Sequence, residues 1–293
     1  AVPDEGYKFA NWSGATAVMD DPGRAETGIA IAGPQTASTV FVSLHHDPCA
    51  VFWKEGLESG NWNDGNSWAS GEVPADGDWL VIPADRAHPI DIVLDAKTAQ
   101  LKSLVIEDGD QPVTITCKGW LTSISATNMV IGRNVTLTCP GGFTNDEMSN
   151  RVWVVASTLE LREGSSVDVA GGGYGPAQGP GFVAADTVAE SNERGGSHAG
   201  RQGYGRSYWQ TPAPGAPYGD PAYPTAPGTG SGTANGGGAV LLQADSIVMN
   251  GAISADGAQG NAPGSGGSVL LDATTVAGHG TISASSASSK PTD

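Results

Sequence analysis

Between Gly171 and Gly236 the chain gathers its densest set of side chains able to do chemistry. Tyr174, His198, Arg201, Tyr204, Arg206, Tyr208, Trp209, Tyr218 and Tyr223 stand there among glycines and prolines. Aromatic faces and arginine forks suit sugar rings and acidic sugars. Cleaving a uronate polymer by elimination needs a cation at the carboxylate and a Tyr or His to move a proton. His198, Arg201 and Tyr204 are the candidate catalytic set, and Tyr174, Tyr204, Tyr208, Trp209 and Tyr218 the candidate binding set. The competing reading, which takes precedence, is a long loop packed against its scaffold by its aromatics.

A second group is rich in oxygen. Asn61, Asn63 and Asp64 surround Gly65, with Asp78 nearby, and such side chains supply part of a calcium loop. The distal bidentate Glu of a full loop is missing, so turn-capping Asx residues are the plainer expectation. His45-His46-Asp47-Pro48-Cys49 is a weak zinc candidate, because adjacent histidines on a strand point to opposite faces. Of the three cysteines, Cys117 and Cys139 are about one repeat apart. Neighbouring strands at about 4.8 Å would put them within disulfide range, so that pair is expected bonded and Cys49 left over for an intermolecular bond. Small buried thiols are the alternative. Asn11-Trp12-Ser13 and Asn134-Val135-Thr136 are sequons for glycosylation in a secretory pathway.

The scaffold for these residues is all-β. Of 293 residues, 39% are hydrophobic and 15% charged, with 43 Gly and 19 Pro. That is too apolar for disorder and too glycine-rich for helices. Val, Ile, Leu and Thr fall in short runs bounded by Gly, Asp, Asn and Pro, with no helical periodicity. Clear strand candidates are 79–83, 90–94, 101–106, 113–117, 129–131, 135–139 and, earlier, 38–44. A formal charge of −17 disfavours nucleic acid and anionic lipid as partners. No apolar run reaches the ~20 residues of a membrane-spanning helix. The opening Ala1-Val2-Pro3-Asp4 lacks a signal-peptide core and reads as a mature, exported N-terminus. Nucleophile-elbow, phosphate-loop and zinc-protease motifs are missing from the sequence, which makes an enzyme the less favoured expectation.

The chain also repeats itself. Gly237-Gly238-Ala239-Val240-Leu241-Leu242-Gln243-Ala244 returns as Gly266-Gly267-Ser268-Val269-Leu270-Leu271-Asp272-Ala273. The match runs on without a gap to Ile253-Ser254-Ala255 and Ile282-Ser283-Ala284. A looser copy covers 154–170, and each copy reads as three short strands with tight corners. A single copy cannot bury its apolar residues, whereas stacked copies can. The expected architecture is therefore a parallel β-helix (β-solenoid) over 60–284, interrupted by a Gly/Pro-rich insertion at 171–236. Residues 1–59 are expected as an N-terminal β cap or assembly segment, and 285–293 as a Ser-rich tail. A β-sandwich is the weaker alternative.

Gly60-Asn61-Trp62-Asn63-Asp64-Gly65-Asn66-Ser67-Trp68, then Gly71, Pro74, Gly77, Asp78 and Val81-Ile82-Pro83, resemble the opening of repeats in secreted bacterial β-solenoid and adhesin-like proteins. The same residues are similar to the eight-glycine domain of eukaryotic cell-surface proteins. Gly195-Gly196-Ser197-His198-Ala199-Gly200-Arg201 and the Gly-Gly-x-Val-Leu-Leu copies look like glycine-rich modules of large secreted proteins. Together these resemblances span about 60–284. They imply a solenoid fold and an extracellular place, and they say little about activity. The expected function is a secreted structural or adhesive protein that joins copies of itself or other surface components. Polysaccharide binding or lysis by the aromatic loop is the alternative, and calcium the only cofactor entertained.

Overall fold

The computed structural model describes residues 7–14, 37–43, 50–84, 86–144, 147–184, 194–201 and 215–287. His45, His46, Cys49, Tyr204, Arg206, Tyr208 and Trp209 lie outside them. Strands β1 (Tyr7–Gly14) and β2 (Ala37–Ser43) form an antiparallel pair whose register slips between Phe9 and Asn11.

The remaining strands build two parallel sheets of seven. One holds β3 (Ala50–Phe52), β5 (Trp79–Ile82), β7 (Leu101–Ile106), β9 (Ile124–Ile131), β11 (Val152–Leu161), β13 (Ala239–Met249) and β15 (Ser268–Ala277), in that spatial order. The other holds β4 (Ser59–Asn61), β6 (Ile90–Leu94), β8 (Val113–Cys117), β10 (Val135–Thr138), β12 (Ser166–Asp168), β14 (Ala252–Ser254) and β16 (Thr281–Ser283). Successive strands alternate between the sheets, and each strand pairs with the one two places earlier. The first of them, β3, lies inside the stretch expected as a cap.

Alternation along each strand sends every second residue into one continuous core between the sheets. Register keeps like beside like: Ile92, Ile115, Leu137, Val167, Ile253 and Ile282 form one column. Leu80, Leu104, Met129, Leu159, Ile247 and Val276 form another in the facing sheet. The repeated segments differ from expectation in strand count. Each contains one long strand and one three-residue strand, since β13 and β15 run through the point where a corner was expected.

Corners between long and short strands align as well. Asn134 and Gly164 both adopt left-handed backbone (φ +61° and +80°), and the Asn134 amide donates to the Gly164 carbonyl. At the opposite corner, three connections leave from the same place: 139–151, 169–238 and 255–267. The long excursion is thus an enlarged form of a recurring loop. These loops bond to one another through their backbones, Gly142 N–H to Gly173 and Gly237 N–H to Ser265, while Gly173 N–H to Gly236 ties the two ends of the long excursion together. A side chain has no room in that layer, because a Cβ on Gly230, Gly264 or Gly267 would strike a neighbouring carbonyl oxygen.

The expected Cys117–Cys139 disulfide is not formed; both residues are buried free thiols. The ladder β8–β10 ends at Thr116 beside Thr138, so the cysteines follow in register on neighbouring strands. Side chains in register on parallel strands project side by side rather than toward each other, which disfavours the bridge. Burial pushes both thiols up to about 12, with the neighbouring Cys139 adding to it at Cys117 and Asp168 at Cys139.

Candidate functional site

The candidate residues of the sequence fall into three separate places. Around Gly65 the oxygen-rich side chains are occupied in turn-building. Asp64 caps the short 3₁₀ turn Gly65–Ser67, its Oδ1 accepting from the Asn66 backbone N–H at 2.9 Å. The Asn61 Oδ1 accepts from the Asn63 N–H, and both side-chain amides donate to Asp95, one to each carboxylate oxygen at 2.8 Å. Those donors hold the Asp95 carboxyl below its ordinary range. Asp78 serves another turn, accepting from the Ala75 N–H. This arrangement turns amide nitrogens toward the carboxylate and leaves Asn61, Asn63, Asp64 and Asp78 without a shared oxygen cage. Among the described residues no three of His, Cys, Asp or Glu converge for a metal.

What the motif does position is tryptophan. Trp53, Trp62 and Trp68 are buried, with Trp68 meeting each of the others edge-on at 5.1 Å between ring centres. Trp68 Nε1 donates to the Trp62 carbonyl, and Trp53 Nε1 to that of Leu57.

In the excursion, His198 is buried, with Nδ1 2.9 Å from the Gly266 carbonyl and its ring tilted on Tyr218. Burial lowers its pKa, partly countered by the Gly266 carbonyl. Tyr218 donates to the Pro227 carbonyl and accepts from Thr229. Tyr174 is buried against Phe143. His198 and Tyr174 tie the excursion to the neighbouring loops, and Tyr218 braces it from within. Arg201 is exposed, whereas His198 is buried. At the sequons, Asn134 is exposed and its amide donates to the Gly109 carbonyl; Asn11 lies in β1.

The cluster best equipped to meet a ligand was not among the expected sites. Arg151, immediately before β11, lies over two tryptophans, its guanidinium carbon 4.8 Å from the Trp120 ring centre and 4.5 Å from that of Trp153. Lys97 Nζ lies 5.4 Å from the Trp153 ring. Asn150 Oδ1 fixes the Trp120 loop by accepting from the Gly119 N–H. Trp153 Nε1 donates to Gln243 Oε1, and Gln243 donates onward to Asp272, so three neighbouring strands pin that ring. Tyr223 lies within electrostatic reach of the guanidinium and is itself 47% exposed.

Arg151 is only 8% exposed, yet among the described residues no carboxylate pairs with it and its Nε is buried without an acceptor. Burial lowers its pKa, but an arginine stays protonated at any ordinary pH. Each cation–π contact contributes about 0.5–2 kcal/mol, and the buried Nε still lacks an acceptor.

A contrasting charge cluster lines the hollow formed by Asp108, Arg133, Arg162, Glu163, Gly164 and Asn250. There Arg162 meets Asp108 at 3.4 Å and Glu160 at 3.3 Å, and Arg133 meets Asp110 at 3.4 Å. Those arginines have anionic partners within the protein. Arg151 does not. Its signal in the sequence was weak, because Trp120 and Arg151 come together only once β9 and β11 are known to be neighbours.

No family model, no curated protein and no solved structure matches the chain.

Proposed function

We propose that the chain is a parallel β-helix serving as an extracellular structural or adhesive building block, joined to a second copy through its C-terminal end. The alternation of strands between two in-register parallel sheets supports the winding. The end at β15 and β16 carries the assembly reading. Ile253 and Ile247 are 1% and 0% exposed, while Ile282 and Val276, next in the same columns, are 47% and 52% exposed. Among the described residues, inward-facing apolar positions are thus repeated once more and left uncovered, beside the outer edges of the last strands in each sheet. A further layer of strands would satisfy both. An exported location accords with the acidic composition, and the exposed Asn134 sequon is available at a corner.

Sedimentation of the purified chain over a range of concentrations tests this. Self-association is expected for the wild type, and its loss for Val276→Lys/Ile282→Lys, with far-ultraviolet circular dichroism unchanged. A wild-type chain that stays monomeric up to the highest concentrations overturns the assembly reading.

Polysaccharide lysis by His198, Arg201 and Tyr204 draws no support from the described geometry. His198 is buried on a backbone carbonyl rather than presented to a substrate.

A further inference from the structure

We propose that Arg151, Trp120, Trp153, Lys97 and Tyr223 form a binding site for the carboxylate of an acidic sugar. None of these five side chains lies on β15 or β16, so the site can be tested on the monomer independently of the proposed assembly.

Among the described residues no carboxylate meets the Arg151 guanidinium, and its buried Nε has no acceptor. The guanidinium carbon lies over both indole rings, and an indole offers an N–H donor but no acceptor in return. Nε is buried, which leaves the terminal nitrogens as the donors that a ligand can reach. A planar carboxylate fits those donors, since both its oxygens lie in one plane with the N–H fork. Lys97 adds a second cation at the Trp153 ring.

What carries the carboxylate follows from the surroundings. Tyr223 is 47% exposed, and Leu121, next to Trp120, is 66% exposed. Exposed aromatic and apolar surface around a cation suits the C–H face of a sugar ring, with the uronate directed to the arginine. An acidic peptide would offer the same anion without that ring. The net charge of −17 works against long polyanions in general. Binding should therefore depend on this local constellation rather than on bulk attraction.

The probes are tetragalacturonate, its methyl-esterified counterpart and tetraglutamate, titrated while tryptophan fluorescence and heat are recorded. Saturable binding of tetragalacturonate alone is expected. Arg151→Lys retains charge but loses the planar fork, and should weaken it about tenfold or more. Lys97→Ala changes an exposed residue, so it keeps the fold, and should weaken binding about threefold. Arg151→Lys is read only alongside its melting curve, and Lys97→Ala serves if that variant melts early. Lack of binding to tetragalacturonate overturns the proposal, as does equal binding of the ester. Equal binding of tetraglutamate overturns the sugar assignment, and binding unchanged in both variants overturns the location.

Discussion

The two ends of the stacked sheets are finished differently. At the N-terminal end Trp53, Trp62 and Trp68 pack edge-to-face over the first strands and are buried. At the C-terminal end the last strands carry Val276 and Ile282 in the same columns as buried residues, with nothing described above them. Among the described residues, one core of the same patterning is covered at one end and uncovered at the other. A parallel stack limits itself only where some other structure supplies the missing contacts. Here a turn motif supplies it at the start, by placing three large rings where strands would otherwise be needed.

The largest test of this contrast is substitution at the two ends. Trp68→Ala removes a fully buried ring and a hydrogen bond, and should cost about 3–5 kcal/mol in urea unfolding. Ile282→Ala, measured at dilution where the chain is monomeric, should cost about 1 kcal/mol or less, because half the side chain is already in water. Comparable losses would mean that the C-terminal end is covered in solution.

A second test asks whether the glycine layer belongs to the closed, rigid part. Gly264→Ala must push a methyl group against the Asn235 carbonyl, and should destabilise by about 1–3 kcal/mol in the same assay. A neutral effect would show that this layer yields freely.

The remaining effect is nil at neutral pH and grows only in alkali. Folded Cys117 and Cys139 titrate at about 12, above their ordinary 9.0, because burial disfavours the thiolate. The unfolded chain releases these protons first, so stability is intact below about pH 9 and falls as pH rises from there toward 12. Each thiol contributes at most about 1.4 kcal/mol per pH unit in that window. Cys117→Ala should flatten the fall. A thiol reagent should leave both cysteines untouched until the protein unfolds, and their rapid labelling in the native state would contradict the burial.

Much of the scaffold was readable before any coordinates. The bounds of β6, β7 and β8 follow directly from runs of Val, Ile, Leu and Thr, since each run is short and ends at a turn residue. The copies at 237–255 and 266–284 pair in register, as ungapped repeats must when they stack. Their strand count was misread, because Ala244-Asp245-Ser246 looks like a corner but continues the strand. The disulfide was inferred from spacing along the chain, which brings residues near without aiming their side chains. The Gly65 loop looked like a metal site because Asx residues that cap turns and Asx residues that ligate calcium are the same residues. The Arg151 site was missed for the opposite reason. Lys97, Trp120, Arg151 and Tyr223 are scattered along the sequence and converge only through strand order.

The shared corner from which the glycine-rich loops depart has one more consequence. β11 and β13 pair in register although the whole excursion lies between β12 and β13. The ladder therefore does not record how long the connection is. Such a corner works as a graft point: segments of very different length can be spliced there while the load-carrying strands stay unchanged. Variation in what the molecule presents is thereby uncoupled from the constancy of what holds it up.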